Sequence, residues 1–274
     1  VSRLATAYVE TFRNVPLALQ LIFWYLAVYL KAPRIADSLD FFGIAYLSNR
    51  AVALPKPGAE DGFGLWLLIL LAGLAGAAVV KVWRTRTEDR TGLPSYPWVL
   101  ASATFLAIAA AGFVATGTPL SFDAPEVGRS AYQGGMRITP EYAALLTGLT
   151  VYTAAFIAEV VRGSILAIPK GQTDAAAGLG LNPFQRLRFV IFPQALLIII
   201  PPLINQYLNL TKNSSLAALV AFKDLFDVGR VSINQTGQAF PIVILVMLTY
   251  LTMSLLTSAV MNFVYSRFRW AERR

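Results

Sequence analysis

The chain has 274 residues, of which 56% are hydrophobic and only 14% are charged. Soluble domains carry about 25% charged residues, so this composition indicates a protein embedded in lipid. The chain has no cysteine and no histidine, which excludes disulfides, thiol chemistry, imidazole catalysis and most zinc or haem sites. The net charge of +8 fits anionic lipid headgroups better than nucleic acid, because the basic residues cluster at the ends of apolar segments.

Six segments are apolar over the roughly 20 residues that a helix needs to cross a bilayer. In chain order they lie near residues 15–31, 64–83, 97–116, 142–163, 190–211 and 240–266. The predicted fold is therefore all-α, a polytopic transmembrane helical bundle in a single domain over 1–274. The aromatic residues Trp24, Tyr25 and Tyr29 are predicted to lie at the membrane interface or to pack between helices.

Six spans divide the loops between the two sides of the membrane. The side with both termini also holds 81–96 and 162–189, and it carries fourteen Lys and Arg residues. The side with nine basic residues holds the loops 31–63, 117–141 and 212–239. Because cytoplasmic loops carry the excess of Lys and Arg, we expect the first side, with both termini of this chain, to face the cytoplasm.

The segment "TDAAAGLGLNPFQRLRFVIFP" (173–193) lies between two apolar segments but contains small, turn-forming and basic residues. Either Thr173 or Asp174 is predicted to cap a helix N-terminus. The small residues 175–177 make this helix slim enough to enter the groove of a partner. Gly180 is predicted to end it, as glycines at helix ends do.

Asn182 and Pro183 are predicted to turn the chain and to start a second helix, with Pro183 near its first position. This helix has an apolar stripe and two basic neighbours, which are Leu187, Val190 and Ile191 with Arg186 and Arg188. The alternative is that 173–193 is an amphipathic interfacial connector that only joins two membrane helices.

Glu159 ends the apolar run "YTAAFIAE" of the fourth segment. An acidic residue in a membrane segment is costly and usually faces a cavity or a partner. Glu159 is therefore predicted to line a solute pathway or to gate its cytoplasmic end. The alternative is a structural pair with Arg162, three residues further along the helix.

The fifth segment combines Pro201 and Pro202 with a series of polar side chains. A proline-interrupted helix can expose backbone carbonyls and side chains to an aqueous cavity. The candidate pathway residues are Asn205, Gln206, Asn209, Thr211, Asn213, Ser214 and Ser215. The alternative is that they form hydrogen bonds between helices. Lys212 is either a carboxylate contact or an interfacial anchor.

Several sequence motifs of chemistry are absent. The chain has no G-x-x-x-x-G-K-[ST], no G-x-S-x-G and no H-E-x-x-H. No catalytic residue and no metal site is therefore predicted, and any ATP that drives this protein must bind to a partner.

The spacing within 173–193 resembles the cytoplasmic "EAA" motif of permease subunits of ATP-binding-cassette importers. In that family the motif is Glu-Ala-Ala, three residues, Gly, nine residues, Ile, one residue and Leu-Pro. The corresponding residues here are Asp174, Ala175, Ala176, Gly180, Val190, Phe192 and Pro193. The spacing is identical, and the three departures are Asp for Glu, Val for Ile and Phe for Leu.

Other stretches resemble the polar amino acid subfamily of these permeases, and especially the longer subunits of general or acidic and neutral L-amino acid importers. They are residues 8–25, 152–172, 208–225 and 236–263. Members of the family have a further helix upstream of the stretch "FRNVP", so we expect one to precede Val1.

The resemblance implies a type I importer permease in a bacterial inner membrane that forms half of a translocation pathway for amino acids. Its coupling helix would contact the ATPase through Asp174, Ala175, Ala176, Gly180, Leu181, Pro183, Arg186 and Pro193. The implied partners are a homologous second permease, a cytoplasmic ATPase dimer that holds the ATP and magnesium, an extracytoplasmic amino-acid-binding protein and membrane lipid. This chain itself would bind no cofactor.

Two other classes of function remain open at this point. A stand-alone secondary transporter or channel needs coupling-ion ligands within its helices, and apart from Glu159 the helix centres lack carboxylates. A membrane-bound enzyme needs a nucleophile, a base or a metal cluster, for which this chain has few candidates.

Overall fold

The computed structural model describes residues 3–272, with side chains described as far as Ser266. In this range the α-helices are α1 (Arg3–Asn14), α2 (Leu17–Phe23), α3 (Phe63–Thr91), α4 (Pro97–Ala115), α5 (Pro140–Leu166), α6 (Lys170–Gly178), α7 (Pro183–Arg186), α8 (Phe192–Asn213), α9 (Leu225–Thr236) and α10 (Ala239–Glu272). Of the basic residues counted for orientation, Arg273 and Arg274 lie outside the described residues, as do the side chains of Arg267 and Arg269.

Short strands occupy two segments that the sequence assigns to loops. They are β1 (Leu39–Phe41), β2 (Ala45–Leu47), β3 (Val52–Leu54), β4 (Lys56–Ala59), β5 (Leu120–Asp123), β6 (Glu126–Val127), β7 (Tyr132–Gln133) and β8 (Met136–Ile138). None of them is longer than four residues, so the fold remains that of a helical membrane protein.

Among the described residues, five helical segments are long and apolar enough to cross a membrane. They are Phe63–Thr91, Pro97–Ala115, Pro140–Leu166, Pro183–Val220 and Ala239–Ser266. The first predicted span corresponds to a shorter apolar helix, Leu17–Tyr29, whose second half is π-helical. The predicted bundle of membrane helices is thus confirmed, with five full-length spans and one short one.

The chain divides into two compact units. The first consists of Val1–Arg34, Ser48–Ala51 and Ile138–Arg274. Helix α5 is its central element and packs against α1, α2 and α8. Thr139 caps α5 by accepting a hydrogen bond from the Tyr142 N–H at 3.3 Å. One core cluster of this unit consists of Leu17, Leu21, Leu145, Ala217 and Val220.

Helices α2 and α5 approach closely at Gly148. A Cβ atom at this position would lie 2.5 Å from Cδ2 of Leu21, a side chain that is itself fully buried. Two tyrosines of the π-helical turn that follows α2 extend the contact. Tyr25 donates to Glu141 at 3.2 Å, and the hydroxyls of Tyr29 and Thr147 lie 2.7 Å apart. These aromatic residues therefore connect helices.

Helix α8 runs without a break through Pro201 and Pro202. The prediction of a proline-interrupted helix is wrong at this point. Neither proline has an N–H to donate to the carbonyls of Leu197 and Ile198, but neighbouring packing keeps the segment helical. The cluster Ile168, Ile191, Ala195 and Ile199 holds the first half of α8 against α5.

The second unit consists of Ile35–Leu47 and Val52–Arg137. Helices α3 and α4 form an antiparallel hairpin in which small residues lie against branched ones. A Cβ atom at Gly112 would lie 2.6 Å from Cγ2 of Ile69, and the Trp66 indole donates to the Ala109 carbonyl at 3.1 Å. Helix α3 continues to Thr91, about two turns beyond the predicted end of this span, so its basic residues are helical and the loop is shorter than predicted.

The strands form small sheets, in which the pairs β1–β2, β2–β3, β4–β5 and β6–β7 are antiparallel. One has the order β1-β2-β3-β8, and the others pair β4 with β5 and β6 with β7. In the second sheet Lys56 lies opposite Asp123 and Ala59 opposite Leu120. Tyr132 is 2% exposed and stacks on Tyr46 at 6.1 Å between ring centroids, which gives these short strands an apolar centre.

Candidate functional site

The segment 173–193 begins inside a helix. Helix α6 starts at Lys170 after Pro169, so Thr173 and Asp174 lie within it. The prediction that one of them caps the helix is therefore wrong, because Pro169 already fixes the turn at which the helix starts. Ala176 is 2% exposed, whereas Asp174 and Ala175 are exposed. The helix thus presents its acidic and small residues to the outside.

Gly180 ends α6 as predicted. Its φ of +77° lies in the left-handed region, which costs a residue with a side chain about 1–2 kcal/mol. The Gly180 N–H donates to Ala177 at 2.9 Å and the Leu181 N–H donates to Ala176 at 3.2 Å. These two bonds are the Schellman motif, which satisfies the last carbonyls of the helix.

Asn182 caps the second helix. Its side-chain oxygen accepts from the Gln185 N–H at 2.9 Å, and the Gln185 side chain accepts from the Asn182 N–H at 3.0 Å. Pro183 occupies the first turn, as predicted. The sequence spacing Asn-x-x-Gln signals this reciprocal capping box, although Gln185 was not among the predicted site residues. A capping motif on each side of Leu181 therefore makes the turn rigid.

After α7 the chain forms a π-helical turn, Leu187–Ile191, which leads into α8. Because this turn is π-helical, the residues of the predicted apolar stripe no longer lie on one face of the helix. Ile191 is buried, but Leu187 is 45% exposed. Pro193 is exposed in the first turn of α8, and Arg186 is half-buried. The Gln194 amide donates to Gln172 at 3.2 Å, which ties α6 to α8.

The surface of this segment combines a rigid backbone with exposed apolar side chains. Leu179 is 80% exposed and Phe184 is 67% exposed. Apolar side chains on both sides of a doubly capped turn form a protruding shape that fits a groove in another protein or a membrane surface.

A polar cavity of about 250 Å³ lies between α5 and α8. Helix α8 contributes Gln206, Asn209 and Asn213, which were predicted as pathway residues, together with Leu210. Helix α5 contributes Tyr152, Thr153 and Phe156, which were not predicted. These three residues lie on the same face of α5 as Glu159, and this spacing could have identified them in the sequence.

The other predicted pathway residues of this region do not line the cavity. Asn205 is exposed. Three hydroxyl groups donate to carbonyls of their own helix, namely Thr211 to Tyr207, Ser214 to Thr211 and Ser215 to Lys212. Ser215 lines a different, mostly apolar cavity of about 500 Å³ between α9 and α10. Lys212 is exposed.

Glu159 belongs to a charge cluster. Arg162 donates to it through two nitrogens, one of them Nε at 2.9 Å, and Arg13 Nη1 lies 3.9 Å away. The predicted structural pair with Arg162 is therefore present. Arg13 also lies over the Phe156 ring at 5.6 Å, and Phe156 lines the polar cavity. The cluster thus reaches the cavity through one aromatic side chain.

Helix α1 is held against α5 at the same place. The Tyr8 hydroxyl donates to the Val151 carbonyl at 2.7 Å, and burial raises the pKa of Tyr8 above its ordinary value. Together with Arg13, this bond fixes the position of α1 beside the cavity. Sequence reasoning did not select Arg13, because its partner lies 146 positions away in the chain.

Within the described residues, no group of three or more acidic side chains is arranged to hold a metal ion. The expectation that ATP and magnesium bind to a partner stays a prediction about that partner.

This arrangement defines a membrane protein with a polar cavity between two spans and a doubly capped helical turn outside them. The family model described as "Binding-protein-dependent transport system inner membrane component" matches residues 1–270. The chain belongs to this family, and it is a multi-pass inner membrane permease component.

Curated relatives match along the whole chain. The general L-amino acid transport system permease protein AapQ of Rhizobium johnstonii is 42% identical over 273 residues, which are 100% of this chain and 68% of the relative. The glutamate/glutamine/aspartate/asparagine transport system permease protein BztB of Rhodobacter capsulatus is 38% identical over 306 residues, 100% of this chain and 71% of the relative. BztC is named as a permease protein of the same transport system in Rhodobacter capsulatus. It is 47% identical over 79 residues, which are 29% of this chain and 18% of the relative.

Proposed function

We propose that this chain is a permease subunit of an ATP-driven importer of amino acids, in which it forms half of the translocation pathway. The observation that carries the proposal is the turn between α6 and α7, which a Schellman motif and a capping box hold on either side of Leu181. Because hydrogen bonds hold the turn on both sides, a movement of α6 would also move α7. The full-length likeness to amino acid permeases supports the choice of substrate class.

The turn would couple this chain to a cytoplasmic ATPase. Closure of the ATPase dimer would move the segment 173–193, and α8 would move with it because Gln194 bonds to Gln172. The exposed residues Leu179 and Phe184 supply apolar contact area, and Asp174 supplies a carboxylate. The motion biases two states of the permease by differential contacts.

The polar cavity between α5 and α8 would receive the solute. Its volume of about 250 Å³ is below the about 300–1,000 Å³ of pockets for drug-sized ligands, so it suits one small molecule. Amide side chains both donate and accept hydrogen bonds, and an amino acid presents an ammonium group and a carboxylate. The charge cluster of Glu159 with Arg13 and Arg162 would gate the neighbouring end.

The remaining partners follow from the same proposal. A second, similar permease would complete the pathway, and the pair of names BztB and BztC supports two non-identical subunits. The apolar window of Ala239–Ser266 has no residue fully buried within the chain, so the face of α10 that does not pack against α8 and α9 would contact lipid or that subunit. An extracytoplasmic binding protein would deliver the substrate, and both termini of the chain would face the cytoplasm.

The test is transport by the purified assembly in proteoliposomes. We expect the chain to co-purify with an ATPase subunit, and we expect uptake of labelled amino acids only when ATP and a loaded binding protein are both present. Uptake that is driven by an ion gradient in the absence of ATP would instead identify a secondary transporter and contradict the proposal.

A further inference from the structure

A further cavity lies on the surface of the α3–α4 hairpin, whose residues are distant in the sequence from those of the proposed pathway. It is an open apolar groove of about 500 Å³ between the two helices. Leu74 and Ala78 of α3 and Phe105 and Leu106 of α4 line it. The membrane-spanning windows of both helices are only 11% buried within the chain, so a groove on this hairpin is open to lipid unless another protein covers it.

One end of the groove is cationic and aromatic. Lys81 Nζ lies 3.6 Å from the centroid of the Trp98 ring, and both residues line the groove. Arg84 follows one helical turn later and lies 5.3 Å from the Trp83 ring. Within the part of the chain that the structure describes, neither cation forms an ion pair with a carboxylate.

Among the described residues, the carboxylate of Glu88 forms no ion pair with either cation. The Ser95 hydroxyl donates to the Arg84 carbonyl at 2.7 Å, and a Glu88 carboxylate oxygen lies 3.3 Å from the same hydroxyl. Arg84 does not line the groove but lines a neighbouring cavity of about 490 Å³ at the end of the hairpin. Two unpaired cations therefore stand where an apolar groove meets polar surroundings.

We propose that this groove binds an anionic glycerophospholipid of the membrane. One acyl chain lies along Ala78 and Phe105, and the phosphate contacts Lys81 and Arg84. Exposed tryptophans such as Trp83 and Trp98 are typical of the level at which headgroups lie. A helix of another protein would need a carboxylate opposite Lys81 and Arg84 as well as an apolar face, whereas one anionic lipid supplies both the phosphate and the acyl chain.

The experiment measures lipid binding to the intact transporter assembly by native mass spectrometry, after reconstitution in nanodiscs of phosphatidylglycerol and phosphatidylcholine. The variant Lys81→Ala with Arg84→Ala should bind phosphatidylglycerol about a hundredfold more weakly, since each hydrogen bond to a charged phosphate contributes about tenfold. The matched control is Arg86→Ala with Arg90→Ala. It removes the same charge from the same helix at positions that do not line either cavity, and we expect a loss several times smaller, because it reduces only the general attraction between the helix and anionic lipid.

Equal losses in the two double variants would overturn the proposal, because they would show attraction to the helix surface as a whole. So would wild-type binding that does not distinguish phosphatidylglycerol from phosphatidylcholine. The variant Ala78→Phe fills the groove at an exposed position and leaves both cations in place. We expect about tenfold weaker lipid binding from the loss of space.

The chain has no cysteine, so Ala78→Cys provides a single site for cross-linking in native membranes. We expect no cross-link to a permease subunit. A cross-link to a second permease would show that a protein helix covers the groove and would overturn the assignment to lipid.

Discussion

Helices α5 and α8 of the first unit and helices α3 and α4 of the second are both pairs of membrane-length helices, but the space beside each pair is different. The cavity between α5 and α8 is lined by three amide side chains. Helices α3 and α4 contain no Asn and no Gln, and their groove is apolar with Lys81 as its one charged lining residue. In the apolar windows, 28% of residues are buried in the spans of α5 and α8, against 11% in those of α3 and α4.

Packing between backbones does not explain this difference. Both units use glycine for close approach between helices, Gly148 of α5 against Leu21 of α2 in the first unit and Gly112 of α4 against Ile69 of α3 in the second. The two regions therefore share one way of packing helices in lipid and differ in polarity. The comparison is consistent with the two proposals, a solute site in the first unit and a lipid site in the second.

The largest expected effect is at the turn between α6 and α7. Gly180→Arg should abolish uptake without preventing membrane insertion, because a charged side chain in the ATPase groove would cost several kcal/mol. The control is Gly92→Arg in the second unit. Gly92 also has a positive φ, of +68°, and also has nothing within 4 Å of an added Cβ atom.

Both arginine variants carry the same backbone strain of about 1–2 kcal/mol, so a difference between them isolates the contact with the ATPase. The measurement is uptake together with ATPase stimulation by the loaded binding protein. Unchanged stimulation in Gly180→Arg would sink the coupling assignment.

The next effect concerns the amide cavity. Asn209→Leu removes an amide from the lining, and a hydrogen bond to a charged group is worth about 1.5–3 kcal/mol. We expect the KM for uptake to rise roughly ten- to hundredfold. Asn205→Leu is the control, since Asn205 lies one turn away on the same helix and is exposed like Asn209, but does not line the cavity. Equal KM values for the two variants would remove the cavity from the pathway.

The third effect tests the packing that both regions share. Gly148→Val and Gly112→Val should each lower the free energy of unfolding by about 1–3 kcal/mol through overpacking. Gly163→Ala in α5 meets nothing within 4 Å and should raise it by about 0.5–1 kcal/mol. Denaturant unfolding of the purified chain in detergent measures all three. A neutral Gly112→Val would show that the hairpin is loosely packed, unlike the first unit.

The smallest effect is at the charge cluster. Glu159→Gln keeps hydrogen-bonding atoms but loses the charge that faces Arg13 and Arg162. We expect a moderate loss of uptake, below that of Asn209→Leu. The control is Asp227→Asn, which breaks the other i,i+3 ion pair of the first unit, with Arg230. If affinity and rate of Glu159→Gln are those of the wild type, Glu159 has no part in the pathway.

The sequence predicted the membrane spans well because lipid leaves little choice. A helix must satisfy its own backbone in a bilayer, so a long apolar run such as 97–116 becomes a helix, here Pro97–Ala115. It also predicted the turn at Gly180 and Pro183, because glycine and proline act through their own backbone. The cap at Thr173 or Asp174 failed, because Pro169 begins the helix one turn earlier.

The candidate sites were only partly predictable. The amides Gln206, Asn209 and Asn213 were visible as polar residues in an apolar helix, but their partners on α5 were not. In the sequence, Tyr152 and Phe156 look like ordinary residues of an apolar helix. Their place in the cavity is visible only once the structure shows that α8 lies beside α5. The strands between 39 and 59 were missed because runs of three or four residues carry no clear alternation.

By itself, the sequence determined that this chain spans a membrane, which segments cross it, where the chain turns sharply and which family it belongs to. These properties depend on hydrophobicity and local backbone preference, which each residue carries with it. Only the tertiary structure decided that Arg13 faces Glu159, that three amides and two aromatic side chains share one cavity, and that Lys81 and Trp98 lie together in an open groove. Those properties depend on contacts between distant segments, and helix spacing alone does not specify which faces meet.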